Sequence, residues 1–184
     1  ATTLAGATVT VEAVVTAVVS NGFYLQEEDS DADGNAATSE GIFVYTGGAP
    51  SVALLDVVST TGVVSEFFDF TEITADTYTV LGTVMDLPTA AEISLPFTAD
   101  INLETVEGMR ITVVTEPGDA PLTVIETYQL GRYGEIVLSE GPQYQPTQIY
   151  DAQTEAAEID ALQASNAANR IIIDDGVSAQ NQTS

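Results

Sequence analysis

The sequence predicts an all-β protein, a sandwich or a barrel, from three observations. Short runs of β-branched and aromatic residues recur along most of the chain. The longest of them alternates with a period of two. Gly, Pro, Asn and Asp punctuate the runs at turn spacing, with no helical period before residue 151.

The elements follow in order. Val9, Val11, Ala13, Val15, Ala17 and Val19 alternate with Thr10, Glu12, Val14, Thr16 and Val18, which predicts a long strand with one apolar face. Ser20-Asn21-Gly22 turns the chain, and Phe23-Tyr24-Leu25-Gln26 begins a second strand. Residues 41–46 form a third, ended by Gly47-Gly48-Ala49-Pro50. Residues 57–68 read as a strand broken at Gly62, because glycine weakens a strand interior. Segments 77–83, 109–115, 122–128 and 135–139 complete the set, with a turn at Glu116-Pro117-Gly118-Asp119.

The character changes near Pro146. Residues 151–168 are rich in Ala, Glu and Gln, and Ala156, Ile159 and Leu162 share one helical face, so a short helix is predicted over 152–167. Arg170-Ile171-Ile172-Ile173 begins a compact strand over 170–174, stopped by Asp174-Asp175-Gly176. The polar end from Ser178 to Ser184 is expected to fray. The expected organisation is a β domain over 1–148 and a C-terminal extension over 149–184.

Charge narrows the function. The 184 residues carry 28 Asp+Glu against three Arg and no Lys, a net charge of −25. Hydrophobic residues are 45%, too many for a disordered acidic tail, so the charge belongs to a folded surface. Three cations neutralise few phosphates, which argues against direct nucleic-acid binding. An anionic lipid surface repels such a chain as well. The absence of His and Cys excludes His-based and thiol catalysis, zinc fingers and disulfides. Oxygen ligands remain for a metal, and these prefer hard cations such as calcium. The chain opens Ala1-Thr2-Thr3-Leu4 without Met, and reads as a mature secreted chain after signal-peptide removal or as an excised fragment. A Lys-free acidic surface suits surroundings rich in salt and divalent cations. The expected location is extracellular.

One motif is sharp. Asp29-Ser30-Asp31-Ala32-Asp33-Gly34-Asn35-Ala36-Ala37-Thr38-Ser39-Glu40 matches the D-x-[DN]-x-[DN]-G-x5-E calcium loop in full. In such a loop Asp29, Asp31 and Asp33 converge on one cation, and Gly34 permits the reversal. Asn35 offers its carbonyl, Ala37 acts through a water, and Glu40 closes the shell with both oxygens. Strands rather than helices flank it, which predicts a calcium loop inserted in a β-hairpin. With no helix pair to open, the ion is expected to brace the loop rather than to signal.

Gly22-Phe23-Tyr24-Leu25-Gln26, the acidic loop and residues 38–46 together resemble the N-terminal module of ExeM/NucH-type bacterial extracellular endonucleases. Further blocks follow in the family's order: residues 61–68, 106–109, 130–135, 144–147, 169–176 and 178–181, so the likeness covers about residues 9–181. The resemblance implies an OB-like Greek-key β-barrel that precedes a metal-dependent phosphodiesterase domain. That catalytic domain needs His, and this chain has none, so no catalytic residue carries over. The expectation is a non-catalytic, calcium-stabilised accessory module whose partner is a downstream nuclease domain. The alternative is a structural subunit of an extracellular filament or biofilm matrix, a homo-oligomer assembled through calcium or exchange of the C-terminal strand.

Other residues have a bland reading beside the functional one. Phe67, Phe68, Phe70, Tyr128, Tyr133 and Tyr144 are read as core rather than as stacking platforms, since stacking acts beside a cationic groove and three Arg are the whole supply. Arg132, between Gly131 and Tyr133, suits a buried ion pair or a cation–π contact. The pairs Glu27/Glu28 and Asp174/Asp175 read as solvated surface, the second with an option on another cation.

Overall fold

The computed structural model of the chain describes residues 2–98, 103–177 and 179–181, which divide into two compact units. One unit is Ala1–Ala91 with Asn102–Thr112, and the other is Glu92–Ile101 with Val113–Ser184. Strands dominate the first unit, and the second mixes strands with helices. Among the described residues no helix is long and apolar enough to cross a membrane.

The first unit is a ring-like sheet of five strands, β1 (Thr8–Val19), β2 (Gly22–Gln26), β3 (Gly41–Tyr45), β4 (Asp56–Phe67) and β5 (Phe70–Thr83). Their order is β1-β2-β3-β5-β4, and β4 returns to β1. The β3–β5 pair is parallel, with Phe43 opposite Glu72, Val44 opposite Ile73 and Tyr45 opposite Thr74, whereas its neighbours in the ring are antiparallel. A parallel pair needs a crossover connection, and β4 supplies it. Inside the ring Ala13, Val15, Phe23, Leu25, Val44 and Val58 form the apolar core, with Val11, Ile42, Val52, Ala75 and Tyr78 packed against it. Complete burial of a side chain such as Phe23 or Leu25 contributes about 1.5–3 kcal/mol each.

Two expectations about these strands change. The strand over residues 9–19 does not keep one apolar face. A bulge at Thr16 shifts the register between Val15/Leu25 and Ala17/Tyr24. One inserted residue reverses the side-chain phase, so Ala13 to Thr16 are all buried while Ala17 and Val18 are exposed. Gly62 does not break its strand either. β4 runs through it with a register shift between Thr61 and Gly62, because the missing side chain lets β5 approach.

β6 (Ala91–Ser94), which the sequence did not signal, and β7 (Ile111–Val114) form a two-stranded sheet within which the chain passes between units. In the second unit β8 (Leu122–Glu126), β9 (Ile136–Glu140) and β10 (Ile171–Ile173) form an antiparallel sheet of order β10-β9-β8. Three helices accompany them, α1 (Leu130–Tyr133), α2 (Pro146–Ile149) and α3 (Ala156–Ala168). The predicted helix is present, four residues shorter at its start, and Ile159, Leu162 and Asn166 are its half-buried face. The β domain expected over 1–148 is not one body: residues 113–148 group with the C-terminal extension. There β9 pairs with β10 on one side and with β8 on the other. The Asn169 side chain extends that pairing, accepting from the Glu140 N–H and donating to its carbonyl, both at 2.9 Å. The polar end was expected to fray; Ser178 and residues 182–184 lie outside the described residues. Asn181, however, donates its N–H to the Arg132 carbonyl at 2.9 Å, and Arg132 Nε donates to Gln180 at 2.9 Å.

The Gly62 contact gives a direct test. A Cβ there would lie 2.2 Å from the Thr74 carbonyl oxygen and 2.9 Å from Ala75 Cα. Gly62→Ala is expected to destabilise the ring by about 1–3 kcal/mol, read as a lower urea midpoint. Gly82→Ala, where nothing lies within 4 Å, should leave the midpoint nearly unchanged. Equal midpoints for the two variants would contradict the close-approach account.

Candidate metal centre

The acidic loop is the connection between β2 and β3, so the ring fixes both of its ends. Gln26 pairs with Gly41 at the close of the ladder, and the Glu27 N–H donates to the Glu40 carbonyl at 3.0 Å. Side chains strap each end further. The Gln26 side chain is 2% exposed and fully used: its amide donates to the Thr89 carbonyl at 2.8 Å and accepts from the Arg110 N–H at 2.9 Å. The Arg110 guanidinium donates to the Pro88 carbonyl. At the other end Ser39 Oγ donates to the Glu107 carbonyl at 2.6 Å. Gly41 follows so closely on Gly108 that a Cβ there would lie 2.5 Å from the Gly108 carbonyl carbon. These anchors, of which the motif contains Ser39 alone, hold the loop in one place.

Within the loop the five residues expected to ligate a metal separate into groups. Asp31 lies with Glu27 and Glu28, one carboxylate oxygen from each falling within 4.8 Å of the others. Asp33 lies close enough to Glu40 for its negative charge to act on the Glu40 carboxyl. Asp33 also accepts from the Asn35 N–H at 2.6 Å. The Asn35 carbonyl accepts from Thr38, and its amide oxygen accepts from the Ala37 N–H at 3.1 Å. Asp29 is turned outward to Thr89, accepting from its N–H at 2.8 Å and its hydroxyl at 2.5 Å. Asp29 therefore acts here as a strap. Glu27 and Glu28 take the place beside Asp31; their position just before the motif was the signal, read from sequence as solvated surface.

The electrostatics follow from the crowding. Burial pushes Glu27 above the ordinary carboxyl range, and Glu28, Asp31, Glu40 and Glu12 push it further. Glu40 is raised by burial and by the neighbouring Asp33 carboxylate. Asp29 is lowered by the two Thr89 bonds. Raised carboxyls in a cluster are groups that gain from a proton or a cation. The donor set is all oxygen, which fits a hard cation with a large coordination sphere, and calcium fits better than magnesium with its strict octahedron.

The remaining candidates are elsewhere. Asp174 and Asp175 accept from the backbone N–H groups of Gly176 and Val177, turning on their own chain. Asp175 also fills the space where Gly134 lacks a side chain. Arg132 sits over the Tyr133 ring at 4.9 Å, on the surface rather than buried. The aromatics expected in the core are not buried there: Phe67, Phe68, Tyr128 and Tyr144 are exposed, and Phe70 and Tyr133 half-buried. No protein-family model, no curated protein and no solved structure matches the chain.

The sign of the pH effect is fixed by the raised groups. A carboxyl raised in the folded state binds its proton more tightly there than when unfolded. Its repulsion therefore weakens the fold as pH rises from the ordinary Glu value of 4.5 through the folded value, and is absent below. In chelator at pH 7, Glu27→Gln is expected to raise Tm, and the gain should vanish near pH 4. A variant that lowers Tm equally at both pH values would contradict the crowding account.

Proposed function

We propose that the chain is a secreted, non-catalytic module of OB-like β-barrel form, braced by calcium, of the kind that ExeM/NucH-type nucleases place before their catalytic domain. The observation that carries this reading is the strapped loop over residues 27–40, where five carboxylates crowd against each other at one end of the ring. A bound calcium would be held by Asp31 with Glu27 and Glu28, and by Asp33 with Glu40. It would supply the positive charge that the crowded group lacks. The ring order β1-β2-β3-β5-β4 supports the OB-like reading, since the OB fold is a five-stranded Greek-key barrel. The sequence blocks quoted above support the family reading, and two of them meet where Arg132 binds Gln180 and Asn181.

The cations support a role without nucleic acid. Arg110 is spent on Pro88, Arg132 on Gln180 and Tyr133, and Arg170 on Glu126 at 3.3 Å. Strand exchange, the route to the filament alternative, would require β10 to leave β9, with which it pairs in the same chain.

Calcium should raise Tm relative to chelator, because a ligand that binds only the native state stabilises by about 2.7 kcal/mol at a hundred times its Kd. Asp31→Ala should remove most of the rise, whereas Asp160→Ala, an exposed acid on α3, should keep it. Magnesium at the same concentration should do less. An unchanged melting curve in calcium would contradict the proposal. In a separate measurement, fluorescence anisotropy should show no submicromolar binding to single-stranded DNA at physiological salt; such binding would overturn the reading of the charge.

A further inference from the structure

The outer face of the ring carries a second feature that the calcium reading does not use. Phe23, Leu25, Val44 and Ile73 are buried, so strand alternation puts Tyr24, Phe43, Tyr45 and Glu72 on the other face. The pairing aligns them: Tyr24 is opposite Phe43, and Phe43 is opposite Glu72. The rings of Tyr24, Phe43 and Phe70 cluster, with centroids 4.9, 6.2 and 6.4 Å apart at inclined angles. Phe43 lies across Gly22, whose missing side chain makes the room: a Cβ there would fall 2.5 Å from the ring.

Beside this cluster is a cavity of about 470 Å³, lined by Tyr24, Phe43, Tyr45, Phe67, Phe70 and Glu72 together with Asn21 and Thr74. Burial raises the Tyr24 phenol above its ordinary value, so it stays neutral. Glu72 is therefore the charged group of the lining, in a protein of net charge −25. Aromatic faces carry negative potential, and they attract an organic cation within about 6 Å of the ring centre. A carboxylate beside them adds to that attraction and repels anions. Phosphate-bearing nucleotides find no cation in this lining. The hairpin tip next to the cavity is aromatic too. Phe68 and Asp69 turn it at φ 51° and 65°, where Asn and Gly are the usual occupants, and Phe68 is 90% exposed.

We propose that this cavity binds a quaternary ammonium group of the choline class. The rings of Tyr24, Phe43, Tyr45 and Phe70 face the methylated cation, and Glu72 balances its charge. The same head group occurs free and at the surface of a phosphatidylcholine bilayer, and the test separates the two sources.

The test is calorimetric titration of the full chain with choline and with 3,3-dimethylbutan-1-ol, its uncharged analogue of the same shape. Choline is expected to bind at least about tenfold more tightly, the size of a partly desolvated cation–π contribution. Glu72→Gln and Tyr45→Leu should each weaken choline binding about three- to tenfold at unchanged Tm, since both positions are solvent-accessible. Phosphatidylcholine vesicles are then offered with and without choline. Binding that choline displaces assigns the head group to the lipid, and choline binding without vesicle binding assigns it to the free molecule. Equal affinity for the two analogues, binding of neither at 100 millimolar (roughly the weakest useful limit), or vesicle binding that choline cannot displace would each overturn the proposal.

Discussion

Closure of the ring through the parallel pairing of β3 with β5 is the constraint on which the rest depends. Without it β3 would be an edge, and the loop between β2 and β3 would hang from one side of a hairpin. With it, β3 is fixed on both sides, and the two ends of the acidic loop face each other across the last rung of the ladder at Gln26 and Gly41. The same closure brings Glu72 of β5 beside Phe43 of β3, which completes the aromatic row on the outer face. Both candidate sites are consequences of one strand pairing. The glycines that permit it are specific: Gly62 lets β5 approach β4, Gly22 admits the Phe43 ring, and Gly41 admits the Gly108 backbone.

The electrostatic problem is the converse of the packing solution. A chain with 28 acids and three Arg cannot pair its charges, so it must separate them or bind counterions. Several carboxylates are placed against backbone donors instead. Asp29 accepts from Thr89, and Glu66 accepts from the Thr2 N–H and the Thr71 hydroxyl; both are held below the ordinary range. Such groups contribute stability above their unfolded values, which is lost as pH falls through the folded ones. Glu27 and Glu40 run in the opposite direction, and they are neighbours where the acidic loop leaves and rejoins the ring. The fold thus gathers its unfavourable charge where a cation can relieve it.

Much of this was legible in the sequence, and the failures have physical causes. Most of the strands, though not β6 or the first half of β5, followed from period and composition, as did the C-terminal helix and the compact strand at Ile171–Ile173. The one-sided face of β1 did not, because the bulge at Thr16 comes from pairing with β2, which period counting along one strand cannot see. The division of residues 1–148 was hidden for the same reason: partner choice among short strands is non-local. The motif marks the acidic connection between β2 and β3, but the contacts its residues make in the fold were not legible. Asp29 is captured by Thr89, sixty residues away, and Glu27 and Glu28 stand in its stead beside Asp31. The anchors Gln26, Thr89 and Arg110 carry no local signal at all, since a buried glutamine bonded at both ends looks like any strand-end polar residue. The aromatic cavity was visible only as scattered Phe and Tyr until the β3–β5 register aligned them.

The central claim is that the ring holds a specific cation site rather than a diffuse acidic surface. Amide-resolved NMR during a calcium titration tests it most directly. The account predicts saturable, one-to-one shifts at calcium concentrations up to about a millimolar, the range of extracellular sites. These should be confined to residues 27–40 and the straps at Thr89, Glu107 and Arg110. Shifts that fail to saturate, or that spread equally over exposed acids such as Asp151, Glu158 and Asp160 of the second unit, would show only a counterion atmosphere and would contradict it.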